Sequence, residues 1–299
     1  MLPDAATQMA LPYLLQIDPV LVHLGPLPLR WYGLSYLFAV GFAYFLATRR
    51  VRDAWRGFSR QDAEDMCYLG LLSGVLGGRI GYVLFYNVSE FQTNPLSILK
   101  VWDGGMSFHG GLAGVIVGLA IWARRHGHKT FAALDFVSPL IPVGLGAVRL
   151  FGNFFGGELW GRRTDASVGM LFPRQPELEN YSHEALLQAY QSGALNGFTR
   201  HPSQLYQAFL EGVVLAAIMW FYTVKPRPYR AAGGMFVAVY GVQRFIVEFF
   251  REPDAQLGYV ALQWLTMGQI LCLPMIAFGL WLLYVAYRDA GRETQALKQ

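Results

Sequence analysis

The chain has 299 residues, of which 54% are hydrophobic and 15% charged, with 33 glycines besides. Soluble domains carry about 25% charged and about 45–50% apolar residues with glycine counted in, so a disordered chain and an acidic tail protein are excluded, and the composition argues against a globule with a charged, water-facing surface. The net charge of +4 is spread over dispersed Lys and Arg rather than gathered in a stripe, which argues against nucleic-acid binding. Cys67 and Cys272 lie far apart in apolar surroundings and offer neither a disulfide framework nor a metal-spaced cluster.

In chain order, residues 1–31 lack the basic start and cleavage site of a secretory signal. The apolar stretch Leu11 to Leu29 is broken by Pro12, Pro19, Pro26 and Pro28, so this segment is expected to lie along one membrane face rather than to cross it. A spanning helix needs about 17–25 mainly apolar residues. That length predicts spans near 32–48, 66–86, 106–123, 131–151, 204–224, 231–250 and 265–287. The expected fold is an all-α polytopic membrane protein with seven transmembrane helices, four of them within 32–160 and three within 204–287. The polar insert 161–203 forms a small extramembrane head, and 288–299 is a tail. No internal repeat is visible.

Lys and Arg favour cytoplasmic loops. Fourteen of them fall in the segments around Arg52, Arg125, Arg227 and Arg292, against seven on the opposite side. The amino terminus and the head are therefore expected outside, and the carboxyl terminus inside. Three arginines remain within apolar spans: Arg79, Arg149 and Arg244. A cation near the bilayer centre costs about 2.5–3.5 kcal/mol on insertion scales, so each calls for a compensating partner or purpose. All three fall toward the outer ends of their spans, where Tyr32 opens the first span and His109 the third. This convergence suggests a polar pocket whose guanidinium groups grip an anion, a lipid phosphate above all.

Structural alternatives stand beside each assignment. Arg244 and Glu248, at i and i+4, can neutralise each other, and Arg79 can bond helix-end carbonyls. The glycines flanking His109 either let a ligand approach or permit tight helix packing. Asn153 and Glu158 extend the polar edge after the fourth span or cap its helix, while His201-Pro202-Ser203-Gln204 reads as a helix start. A P-loop, a GxSxG elbow and an HExxH motif are missing. Glu158, Glu248 and His109 make a poor metal set among arginines, so no metal is expected.

Several strings together resemble the prolipoprotein diacylglyceryl transferase family. They run in order from Asp18-Pro19 and Trp31-Tyr32-Gly33-Leu34 through Gly77-Gly78-Arg79-Ile80-Gly81-Tyr82 to Val101-Trp102-Asp103-Gly104-Gly105-Met106-Ser107-Phe108-His109-Gly110-Gly111-Leu112. They continue with Gly157-Glu158-Leu159-Trp160-Gly161-Arg162, Arg200-His201-Pro202-Ser203-Gln204-Leu205-Tyr206, and Tyr240 to Arg251 followed by Glu252-Pro253-Asp254. The family signature Gly-Arg-x-Gly-Asn-Phe-x-Asn-x-Glu is altered here. Val148 precedes Arg149, Phe151 is inserted so that Arg149 and Asn153 stand four apart, and Gly156 replaces the second asparagine. On a regular α-helix such an insertion turns all that follows by about 100°. Arg30 and Gln207 replace a frequent histidine and glutamate.

The resemblance implies seven spans in the bacterial inner membrane, with the amino terminus periplasmic and the active site toward the periplasmic leaflet. It implies transfer of the diacylglyceryl group of phosphatidylglycerol to the lipobox cysteine of a preprolipoprotein signal peptide, with glycerol 1-phosphate released and no cofactor. His109 is then the candidate base, with Arg149 and Arg244 on the departing phosphate. Tyr32, Arg79, Asn153, Glu158, Gly161, Tyr240 and Glu248 would bind or orient substrate. The rival reading is a transporter of lipids or organic anions that performs no chemistry.

Overall fold

A computed structural model of the chain describes residues 12–25, 27–99, 105–253 and 258–296. Trp102, Asp103 and Gly104 of the histidine motif lie outside the described residues, as do Pro26, Lys100, Asp254 and Lys298. The chain is mostly helical: α1 Trp31–Arg50, α2 Arg60–Tyr86, α3 Val88–Thr93, α4 Phe108–Arg125, α5 Thr130–Val137, α6 Ile141–Ala147, α7 His183–Gln191, α8 Ser203–Gln207, α9 Leu215–Tyr222, α10 Ala231–Glu248 and α11 Met267–Ala296. Two π-helices, Val148–Phe154 and Ala208–Val214, continue α6 and α8. The strands are short: β1 Tyr13–Leu14, β2 Val20–Leu24, β3 Leu27–Arg30, β4 Met170–Leu171, β5 Tyr259–Ala261 and β6 Leu265–Thr266.

Five helical stretches among the described residues are long and apolar enough to cross a bilayer: Trp31–Arg50, Arg60–Phe85, Thr130–Phe154, Ser203–Tyr222 and Met267–Glu293. The other two segments expected as spans are helical, as α4 and α10 of 18 residues each, but are not among these five. Large apolar side chains face outward along these helices, Leu37, Phe85, Phe221, Trp281 and Tyr284 among them. A water-soluble monomer rarely exposes so much contiguous apolar surface.

Helix ends depart from the expected ones for local reasons. α2 begins at Arg60 rather than near 66 because Ser59 and Asp62 form a reciprocal capping box, Ser59 N donating to Asp62 Oδ2 at 2.7 Å and Asp62 N to Ser59 Oγ at 3.1 Å. α11 runs through the expected tail to Ala296, since Ala, Arg, Glu and Gln there are good helix formers. Upstream of α1, the described part of the expected in-plane segment is a strand and a hairpin. β1 pairs in parallel with β4, and β2 pairs antiparallel with β3.

The chain divides into two units. One contains residues up to 38, 144–214 and 239–276, and with them the head. Leu14, Leu171, Leu178, Leu186 and Leu195 form the head core. Beside it, buried Arg200 donates to Glu177 Oε1 at 2.8 Å, to Glu252 Oε2 at 2.9 Å and to the Gly161 carbonyl at 3.2 Å.

The other unit contains 39–143, 215–238 and 277 onward. Its core is Ala47, Ala63, Met66, Leu119, Trp122, Ala123, Ala133, Phe136 and Leu140. Its defining contact is a small-residue seam between α2 and α4. A Cβ on Gly81 would lie 2.8 Å from the Gly110 Cα, and one on Gly77 would lie 2.8 Å from the Gly114 Cα. Packing this close needs the absence of side chains on both helices.

Glu177 links the head's sequence to its pH response. Burial acts to raise its carboxyl, but hydrogen bonds from Arg163 and Arg200 prevail and hold it near about 2 against a usual 4.5. A carboxyl whose folded value is depressed contributes stability that is complete above its unfolded value and disappears as pH falls to the folded one. The head is therefore expected to lose stability between about pH 4.5 and 2, measurable as amide exchange in residues 161–201 of the purified protein. Glu177→Gln should cost about 1–3 kcal/mol at neutral pH, because Arg200 loses its charged acceptor, and should flatten that acid response. An unchanged acid profile in Glu177→Gln would contradict the assignment.

Candidate functional site

The inserted Phe151 lies within the π-helix Val148–Phe154. A π turn holds one more residue than an α turn, closing with i→i+5 bonds, here from Phe155 N to the Leu150 carbonyl at 3.1 Å. The extra residue is thereby taken up within the wide turn. Its ring packs against Phe155, Phe38 and Trp31 at centroid distances of 5.5, 6.0 and 6.5 Å. A Cβ on Gly152 would lie 3.0 Å from the Tyr32 ring, so this glycine lets the start of α1 close on the π-helix.

The second π-helix packs against the first. Gly146 and Gly212 make the crossing, since a Cβ on Gly146 would lie 2.9 Å from the Gly212 Cα. This crossing brings Arg149 to Glu211. Arg149 Nε reaches Glu211 Oε2 at 3.4 Å and its Nη1 reaches Asn153 Oδ1 at 3.4 Å. Both contacts are long for charge-assisted hydrogen bonds, which favour about 2.7–2.9 Å. Glu211 is 0% exposed and its Oε1 has no partner among the described residues. Gln204, Gln207 and Gln243 also carry buried polar atoms with no partner among the described residues. Such groups are rare in folded proteins and call for an explanation, a bound ligand or water among them.

Tyr240, Arg244 and Glu248 follow at i, i+4 and i+8 on α10. Arg244 Nη1 approaches Glu248 Oε2 at 2.8 Å without hydrogen-bond alignment, so the contact is an ion pair by proximity. Glu248 also accepts from Thr266 Oγ1 at 3.1 Å, and Arg251 Nε lies 3.5 Å from it. A Cβ on Gly268 would collide with its carboxylate. Arg244 lies within electrostatic reach of Glu211 as well as Glu248, and Tyr240 within reach of Glu211, Arg149 and Arg244. Tyr32, Arg149, Asn153, Tyr240, Arg244 and Glu248 thus lie in one unit, with Arg149 against Glu211, a carboxylate absent from the expected set, and Arg244 and Tyr240 within its electrostatic reach.

Glu158 and Gly161 border this assembly. The Glu158 carbonyl accepts from Gln204 Nε2 at 2.6 Å, while its half-exposed carboxylate lies 3.6 Å from Arg174 Nη1. Gly161 sits where three segments meet, its N donating to the His201 carbonyl at 2.8 Å, and a Cβ there would strike the Phe250 and His201 carbonyls. Its role is thus close backbone approach rather than a side-chain contact. His201, read from sequence as a helix start, also pairs its Nδ1 with Tyr206 Oη at 3.1 Å. Burial and then the Arg162 charge lower its pKa.

His109 and Arg79 belong to the second unit. Exposed His109 is the second residue of α4, whose N-cap Ser107 accepts from Gly110 N at 3.3 Å. Of the glycines beside it, Gly110 is taken up by the seam with α2. Arg79 is buried, and donates to the carbonyls of Ser97, Ile98 and Gly105 at 2.6, 3.2 and 3.2 Å. It holds the segment that leads into α4, the carbonyl-bonding alternative of the sequence reading.

Glu211 is the functional candidate that sequence reasoning passed over. Its signal was present, a carboxylate inside an apolar span, as telling as the three intramembrane arginines.

The sequence profile of the family described as prolipoprotein diacylglyceryl transferase matches residues 19–285. The chain belongs to the prolipoprotein diacylglyceryl transferase family. Among its relatives are proteins named phosphatidylglycerol–prolipoprotein diacylglyceryl transferase from Xanthomonas campestris pv. campestris (strain B100), Xanthomonas euvesicatoria pv. vesicatoria (strain 85-10) and Xanthomonas axonopodis pv. citri (strain 306). Each is 52% identical over 277 residues, which is 92% of this chain and 93% of the relative. The packing of Phe151 in the π-helix is testable. Phe151→Ala removes a ring from the contacts with Trp31, Phe38 and Phe155, and is expected to lower stability by up to about 3 kcal/mol, with Phe151→Leu costing less. An unchanged unfolding midpoint for the alanine variant would show that this cluster does not secure the insertion.

Proposed function

We propose that this chain transfers the diacylglyceryl group of phosphatidylglycerol to the lipobox cysteine of a preprolipoprotein. The observation that carries this reading is the Arg149–Glu211–Asn153 assembly within apolar helices, a part-buried guanidinium beside a fully buried carboxylate, which meets Glu211 and Asn153 only at long distances. A lipid phosphate offers such a group the bidentate acceptor that it lacks.

The reaction makes a C–S bond and breaks a C–O bond at the glyceryl carbon. The thiol proton passes to a base, and the bonding pair of the C–O bond leaves with glycerol 1-phosphate, whose phosphate gains a negative charge. Arg149 and Arg244 stabilise that growing charge, while Glu211 and Glu248 hold the two guanidinium groups in place before substrate arrives. Tyr32, Asn153, Glu158 and Tyr240 orient lipid or arginine, and Gly161 keeps the neighbouring backbone close. His109 accepts the thiol proton, imidazole being suited to proton transfer near neutral pH. Arg79 acts as a positioning residue by fixing the approach to α4.

The proposed setting is the bacterial inner membrane, crossed seven times with α4 and α10 included, with the amino terminus and head periplasmic as the Lys and Arg asymmetry favours. A thiol probe confined to the periplasm should label a cysteine placed at position 180 and not one at 125. The reverse pattern would overturn the orientation.

The direct test of the reaction is incubation of the purified protein with phosphatidylglycerol and a lipobox peptide, followed by mass analysis. A diacylglyceryl adduct is expected, and a folded wild-type protein that gives none would contradict the proposal. Arg149→Lys keeps the charge but loses the planar fork, and should slow transfer by roughly 100-fold. His109→Gln should lower turnover while lipid binding persists, and near-normal turnover would remove His109 from proton transfer.

A further inference from the structure

The second unit contains a cavity of about 280 Å³, far more than the ~10–15 Å³ that a single water needs. Its charged lining is Arg50, Arg56, Lys225, Arg227 and Asp135. Asp135 is committed elsewhere, since its two oxygens accept from Arg230 N and Gly233 N at 2.7 Å each, capping the start of α10. Arg56 is held by Asp53 at 2.9 Å and by the Thr223 carbonyl at 3.0 Å. Arg227 donates to the Tyr222 carbonyl and lies over the Tyr222 ring.

Arg50 is the unexplained member. It closes α1, is 4% exposed, and donates from Nη1 to Thr223 Oγ1 at 3.0 Å. The rings of Trp220 and Phe136 lie 5.8 and 5.9 Å away. Its Nε has no partner, and no carboxylate pairs with it, among the described residues. A buried guanidinium lacking an anion is costly, and this one lines a cavity whose other cations add to the imbalance.

We propose that this cavity binds a phosphate-bearing anion, with Arg50 at its base and Lys225 and Arg227 at its rim. None of these residues takes part in the transfer proposed above. On the proposed orientation the site opens at the cytoplasmic side, where clustered Lys and Arg beside spans attract anionic headgroups. The phosphate can belong to an inner-leaflet lipid or to a soluble molecule.

The test uses the full-length protein in detergent, with two ligands. Phosphatidic acid retained by the protein is counted by native mass spectrometry, and inorganic phosphate is titrated against chloride at equal ionic strength with the unfolding midpoint as readout. The variant Lys225→Ala/Arg227→Ala spares the buried Arg50, and Arg50→Lys is the second probe. For the double variant, phosphatidic acid retention should fall roughly 10- to 30-fold, and any rise in midpoint given by phosphate should vanish. A response to phosphatidic acid alone identifies a lipid headgroup, whereas a response to inorganic phosphate as well identifies the phosphate group itself. Wild-type behaviour of both variants, or no response of the wild type to either ligand, overturns the proposal. Diacylglyceryl transfer measured on the same samples separates this result from the fate of the transferase reading, because the anion response does not require transfer.

Discussion

Burying charge in an apolar span is the constraint around which the first unit is organised. A lone guanidinium or carboxylate in such surroundings is expensive, and pairing offsets that cost only with good geometry and further hydrogen bonds. Arg149 and Glu211 meet because the second π-helix packs against the first and, at Gly212, closes on Gly146 at the end of α6. Arg244 and Glu248 meet because they are one turn apart on α10, with Thr266 and Gly268 shaping the carboxylate's surroundings. Neither pair is geometrically saturated. Two long contacts at Arg149 and a misaligned one at Arg244 leave hydrogen-bonding capacity on both guanidinium groups. In the mechanism proposed above, these groups are charge stabilisers in place before charge develops.

The head and the glycine seam each fix a segment within their own unit. In the first, Arg200 ties Glu177, Glu252 and the Gly161 carbonyl together, fixing the segment that follows Glu158. In the second, removing side chains along Gly77, Gly81, Gly110 and Gly114 lets α2 and α4 touch backbone to backbone, which sets where α4 begins and so where His109 stands.

Much of this was legible in the sequence. Apolar length predicted every long helix, although the capping box at Ser59 extended α2 beyond its apolar stretch. Arg149 and Arg244 on their spans and the i, i+4 pairing of Arg244 with Glu248 pointed to the first unit's assembly. The rest depended on contacts between distant segments. The Phe151 insertion was visible, but whether it would rotate the helix or widen a turn depended on the packing around it. Arg79 was ambiguous because the carbonyls it binds lie 18 to 26 residues away in sequence. Gly110 was ambiguous because its partner helix could not be known. Glu211 was overlooked although its charge in a span was as informative as any arginine's.

The central claim is that Arg149, held by Glu211, grips the lipid phosphate rather than merely neutralising a buried carboxylate. A double-mutant cycle measures this directly, comparing Arg149→Met, Glu211→Gln and their combination for unfolding midpoint and for diacylglyceryl transfer. Each single variant should lose about 3–5 kcal/mol of stability by stranding a buried partner, and the combination should regain most of it. The account predicts that the stable double variant remains inactive in transfer. Recovery of transfer together with stability would contradict it, leaving Arg149 as no more than a counter-charge to Glu211.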